Sequence, residues 1–148
     1  MTDAEPTDSG SEAEPSAPKP QPTTEVSAAE VISRYCLSSS SGQISTTKAK
    51  YGLFLPNQKG ATSVYRINGL RDDEIWQIGR DYVAAPRGGS LIARADVAVS
   101  VVNGAGLRVD PQPAPHPRHA DIVDWPEGRD DKVQRAQDIA KAASLKRC

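Results

Sequence analysis

Apolar and polar positions alternate most clearly over Val64-Tyr65-Arg66-Ile67, which reads as a β-strand. Asn68-Gly69 then marks a turn. From Asp72 onward the apolar residues fall at 75, 78, 79 and 82, with Trp76 and Val83 beside them. That spacing predicts a helix from about Asp72 to Ala84. Its acidic first turn suits the positive end of the helix dipole. A strand feeding an amphipathic helix is the strongest fold signal in the chain.

Upstream, Ser27 with Glu30 three residues on has the form of a capping box. It predicts a short helix from Ala28 that passes into a strand near Tyr35. The alternative is a strand from Val31 to Leu37, where Val31, Tyr35 and Leu37 share a side. Ser38 to Gly42 reads as a polar loop, and Ile44 to Thr47 is β-branched enough for a short strand. Lys48 to Leu55 carries Tyr51, Leu53 and Leu55 on one side. It is expected to pair with Thr62 to Asn68 as an antiparallel hairpin through the turn at Pro56–Gly60.

Downstream, Leu91 to Val102 is a long β-branched run. It is expected to bend near Asp96, and its second half is open to a helical turn. A turn at Asn103–Gly106 leads to a short strand from Leu107 to Asp110. Prolines at 111, 113, 115 and 117 then predict an extended connector. Arg118 to Trp125 reads as the final strand. Asp130 or Asp131 caps a last helix from Lys132 to about Leu145, whose line of Val133, Ala136, Ala140 and Ala143 permits close packing. The fold class is α+β, a mostly antiparallel sheet of about five strands with two helices on one face.

Composition adds a boundary. Residues 1–26 hold six acidic side chains, one lysine and five prolines, with few large apolar groups. Such a segment buries too little apolar surface to offset its ordering entropy and is expected to be a disordered tail. The 148-residue chain then divides into this tail and a single domain over 27–148. The body keeps 13 acidic and 17 basic residues, a net charge of +4. That balance permits an anionic partner without requiring one. The tail lacks the basic start and apolar run of a signal peptide, and no apolar run is long enough for a membrane helix. A soluble, cytoplasmic protein is the expectation. Two cysteines, Cys36 and Cys148, make no disulfide framework.

Both histidines lie in one cluster, His116, Arg118, His119, Asp121 and Asp124. The HxxH spacing would interest a metal, but a strand places 119 and 121 on one side and leaves 116 on a proline-stiffened approach. Neither a metal site nor a cofactor is expected. His119 with Asp121 suits a general base and its orienting carboxylate, and these two are the catalytic candidates. No G-x-S-x-G elbow announces a nucleophile. Arg66 and Arg94 sit inside strands and Arg118 opens another. A strand arginine reaches solvent, pairs with an acid such as Asp96 two residues beyond Arg94, or waits for an anion. Sharing one sheet face with His119, the three arginines would make a phosphate- or carboxylate-sized pocket. Trp76 and Trp125 are read as closing the core, with Trp125 also a candidate partner anchor.

Three functions follow in order. The first is a non-enzymatic binding or regulatory module that engages a protein partner or small anion through Arg66, Arg94 and Arg118. The second is a small hydrolase or transferase on a phosphate-containing substrate, with His119 as base. The third is a weak nucleic-acid binder. Modest charge, scarce aromatics and the lack of a recognisable nucleic-acid motif count against it.

Overall fold

The computed structural model describes residues 22–148. Most of the expected tail lies outside the described residues. Its last few residues do not: Arg66 donates to the carbonyls of Thr23 and Glu25, and Val26 packs against the core.

Six strands form one antiparallel sheet: β1 (Val31–Leu37), β2 (Thr62–Arg66), β3 (Leu91–Ala98), β4 (Arg108–Pro111), β5 (His119–Val123) and β6 (Ser144–Arg147). Their spatial order is β4-β5-β2-β1-β3-β6, so β1 lies inside the sheet and β4 and β6 are its edges. The helices are α1 (Asp72–Ile78), α2 (Val99–Gly104) and α3 (Arg129–Ala142). The α+β class is as the sequence implied, with six strands in place of about five.

The two faces are covered differently. Register places Ile32, Val64, Ala95 and Ala120 on one face, which α3 closes with Ala136, Ile139 and Ala140. Tyr35, Tyr65, Arg94 and His119 lie on the other, where α1 contributes Ile75 and Ile78. The helices therefore cover opposite faces, not the same one. Odd positions of β1 and β2 share a side with even positions of β3, and that register is invisible in any single strand.

Three local expectations fail for identifiable reasons. The Ser27–Glu30 capping bonds form, with Ser27 N–H donating to Glu30 Oε2 at 3.0 Å, but they close only one turn before β1 begins. The strand reading of Val31–Leu37 is the correct one. No strand forms over Lys48–Leu55. An isolated bridge joins Ile44 to Ala49, a 3-10 turn spans Tyr51–Leu53, and Leu53 and Phe54 bury against the α3 side. β2 pairs instead with β1 and β5. The last strand is not β5 but β6, which pairs with β3 after α3. The long run from Leu91 divides as expected, into β3 and α2. The proline connector bends and includes a cis Ala114–Pro115 peptide.

Helix α1 does not end cleanly. It widens into a π-helical turn over Gly79–Ala84 and then a 3-10 turn at Ala85–Arg87. The wide turn begins at a close approach, Gly79. A Cβ there would stand 2.6 Å from the Tyr35 ring and 2.8 Å from the Leu91 side chain. Only glycine lets the helix sit this low on the sheet. Such wide turns carry side chains out of the ordinary helical phase, and Tyr82 lies within this one.

Candidate functional site

The arginines picked out by the sequence do not converge. Arg66 lies opposite Ile32, on the α3 face, and is 2% exposed. Its Nε and Nη2 reach Glu30 Oε1 and Oε2 at 2.9 and 2.8 Å, a bidentate pair. That pairing holds the Glu30 carboxyl below its ordinary range. Arg94 lies on the α1 face, 1% exposed. Its Nε faces Asp96 Oδ1 at 3.2 Å, its Nη2 faces Asp72 Oδ1 at 2.9 Å, and its guanidinium sits 4.6 Å from the Trp76 ring centroid. Arg118 donates through Nη1 to the carbonyls of Arg66 and Asn68 at 3.1 and 2.9 Å. So Arg118 approaches Arg66 at the sheet margin, while Arg94 stands apart, already held by carboxylates and an aromatic face. Trp125 follows β5, half-buried, and donates Nε1–H to the Ile122 carbonyl at 3.1 Å.

His119 and Asp121 do meet, with His119 Nε2 3.7 Å from Asp121 Oδ1. A shorter contact was not foreseen. Ser63 lies opposite Asp121 across the β2–β5 ladder, and its Oγ is 2.7 Å from His119 Nε2. His119 Nδ1 is 3.0 Å from the Gln112 carbonyl oxygen. A carbonyl only accepts, so Nδ1 carries a hydrogen, and in the neutral ring Nε2 presents its lone pair to the Ser63 hydroxyl. The ring is also fixed edge-on to Tyr65, centroids 5.2 Å apart. Burial, and then Asp110, push the Asp121 carboxyl up, against the pull of His119.

A second basic group completes the site. Strands β1 and β2 pair at Ile32–Arg66 and Ser33–Tyr65, and beyond that they part. Arg34 fills the gap, donating Nε to the Leu53 carbonyl and Nη1 to the Ser63 carbonyl, both at 2.9 Å. The gap leaves a cavity of about 50 Å³ walled by Arg34, Ser63, Tyr35, Tyr65, Tyr82 and Arg87. Among the described residues no carboxylate lines it. Burial, and then the like charge of Arg87, draw the Arg34 guanidinium below its ordinary range. One water needs about 10–15 Å³, so the space suits a small polyatomic group.

Tyr82 separates this cavity from a broader cleft of about 330 Å³. Leu70, Gln77, Ile78, His116 and Arg118 are among its walls. Tyr82 packs edge-on against His116, centroids 4.8 Å apart. Among the described residues Tyr82 is the one large hydrophobic side chain left exposed, at 38%. His116 Nδ1 accepts the Arg118 backbone N–H at 3.0 Å. Burial, then Arg118 and His119, hold the His116 ring below its ordinary basicity. Among the described residues no group of three or more His, Cys, Asp or Glu side chains is arranged for a metal, and no helix is long and apolar enough to cross a membrane.

Sequence reasoning missed Arg34, Ser63, Tyr82 and Arg87. Arg34 carried the same signal as Arg66 and Arg94, an arginine inside an apolar strand, but its stretch was read as helical. Ser63 has no local signature, because its partner is 56 residues away. No protein-family model, curated protein or solved structure matches the chain.

Proposed function

We propose that the protein is a soluble, cytosolic binding module for a small ligand bearing a phosphoryl or carboxyl group. The anionic end enters the cavity between β1 and β2, and the body of the ligand lies along Tyr82 in the adjoining cleft. One observation carries this reading. Two arginines line a small cavity to which no described residue brings a carboxylate, and their mutual repulsion is relieved by an anion placed between them. The anionic-ligand reading of the sequence is kept, but with Arg34 and Arg87 in place of Arg66 and Arg94. The aromatic wall supplies the apolar contact that such sites use alongside a few placed polar groups.

The test is calorimetric titration with inorganic phosphate and with phenyl phosphate. Arg87 is exposed and reaches the cavity from outside the sheet, so Arg87→Ala leaves the fold intact. Its expected effect is about tenfold weaker binding, or about 1.4 kcal/mol. Phenyl phosphate is expected to bind more tightly than phosphate, and Tyr82→Ala to remove that advantage alone. Absence of heat with either ligand, or unchanged affinity in Arg87→Ala, overturns the reading.

A further inference from the structure

We infer that Ser63 is a nucleophile activated by His119, and that the same cavity carries out hydrolysis of short-chain carboxylic esters. This rests on the reading above to the extent that the two arginines are taken to receive an anion, here the oxyanion formed during acyl transfer.

The parts are in place before any substrate arrives. The Ser63 hydroxyl lies 2.7 Å from His119 Nε2, within the reach a general base needs. The His119 tautomer is set from behind by the Gln112 carbonyl at 3.0 Å, so the free lone pair faces the hydroxyl. This is the logic of nucleophile, base and orienting group, with a main-chain carbonyl as the third member. Asp121 Oδ1, 3.7 Å from the same Nε2, lies where it stabilises the imidazolium once the proton has moved. Ser63 also lines the cavity that Arg34 and Arg87 line, which brings positive charge to the side where charge develops. The volume of about 50 Å³ limits the acyl group to a short one, and the alcohol portion extends past Tyr82 into the larger cleft.

The reaction closes without a further reactant beyond water. Ser63 Oγ bonds to the acyl carbon as its proton passes to His119 Nε2, and the carbonyl electron pair moves onto oxygen opposite the arginines. The carbon–alkoxy bond then breaks, and the leaving alcohol takes the proton from His119. Water adds to the acyl-serine with His119 again as base. The Ser63–acyl bond breaks, releasing the acid and restoring the hydroxyl.

The experiment uses the full chain and diisopropyl fluorophosphate, which phosphorylates activated serines with loss of fluoride, read by intact mass and peptide mapping. One adduct at Ser63 is expected in the parent protein. Labelling should vanish in Ser63→Ala and slow at least about 100-fold in His119→Gln, with each variant's fold checked by circular dichroism. p-Nitrophenyl acetate turnover should fall in parallel. A folded parent protein that gains no adduct at Ser63, or a folded His119→Gln that labels as fast as the parent, overturns the inference. If His119→Gln does not fold, loss of p-nitrophenyl acetate turnover in folded Ser63→Ala supports it, and retained turnover overturns it. Phosphate binding without Ser63 labelling leaves only the binding site. Ser63 labelling without phosphate binding or phosphate protection leaves only the serine–histidine pair.

Discussion

The two faces of the sheet are built on different principles. On the α3 side Ile32, Phe54, Val64, Ile122 and Ile139 are each fully buried and purely apolar. Thr62 and Arg66 are the buried polar residues of that side, and each is satisfied, Thr62 by the Phe54 carbonyl and Arg66 by Glu30. The rest of the face needs only matching volume. On the α1 side the sheet presents Ser33, Tyr35, Tyr65, Arg94, Asp96 and His119. Every polar group buried there needs its own partner, or it costs about 1–3 kcal/mol. Most find one. Tyr35 donates its hydroxyl to the Ile75 carbonyl, and Arg94 takes two carboxylates and Trp76. Among the described residues Ser33 Oγ and Arg94 Nη1 find none. The candidate site lies where α1 stops covering this polar face, at the turn that carries Tyr82. A face whose few buried polar groups are all matched closes on itself, whereas a more polar face that is only partly covered leaves groups available for chemistry.

The contrast is broken most severely at Arg94. Arg94→Ala leaves Asp96, whose side chain is 10% exposed, without its main counter-charge. A loss of about 3–5 kcal/mol in urea unfolding is expected. Adding Asp96→Asn should restore at least about 1 kcal/mol, because contacting charges couple. Ile139→Ala on the other face should cost about 2–5 kcal/mol through its cavity. No charge-neutralising second substitution should recover it. Equal behaviour of the two losses toward Asp96→Asn would abolish the distinction between the faces.

Gly79→Ala is expected to be smaller, about 1–3 kcal/mol, because its Cβ must displace the Tyr35 ring or lift the helix. It also sharpens the comparison. Lifting the helix moves Tyr82 and Arg87, so phosphate affinity should fall along with stability. Stability lost without any change in affinity would separate the helix seat from the site.

Much of the architecture was legible because periodicity reports burial on one side. The alternation around Val64–Ile67, the helical spacing from Ile75, the division of the Leu91 run and the alanine line of α3 all correspond to real elements. What was illegible depends on a second strand. Lys48–Leu55 alternates like a strand, yet Leu53 and Phe54 bury from an irregular segment beneath α3. Periodicity cannot distinguish that from a ladder. The face assignment of Arg66 and Arg94 needed the β1–β2 and β1–β3 registers, and a one-residue difference reverses it. His119 with Asp121 was legible because both lie on one strand two residues apart. Ser63 was not, since only the pairing of β2 with β5 brings it there.

The smallest expected effect is titration, and it separates the faces by pH. His116 belongs to the α1 side, where burial and Arg118 hold its ring below the ordinary value of 6.5. A lowered histidine contributes stability above its unfolded value and loses it as pH falls toward the folded one. Stability should therefore begin to decline just below pH 6.5, and His116→Gln should remove that early decline. Asp121 works the other way. Its raised carboxyl favours the folded state at low pH and loses that advantage as pH rises above 3.8. Glu30 serves the α3-side Arg66. Its lowered carboxyl contributes above 4.5 and is lost only as pH falls through its folded value. Two declines are thus expected on acidification, the earlier one removed by His116→Gln and the later one, shared with Asp73 whose carboxyl Arg71 also holds low, reduced by Glu30→Gln. Urea midpoints measured from pH 7.5 to 3 in both variants decide it, and a single decline that neither variant alters would show that the two faces do not titrate separately.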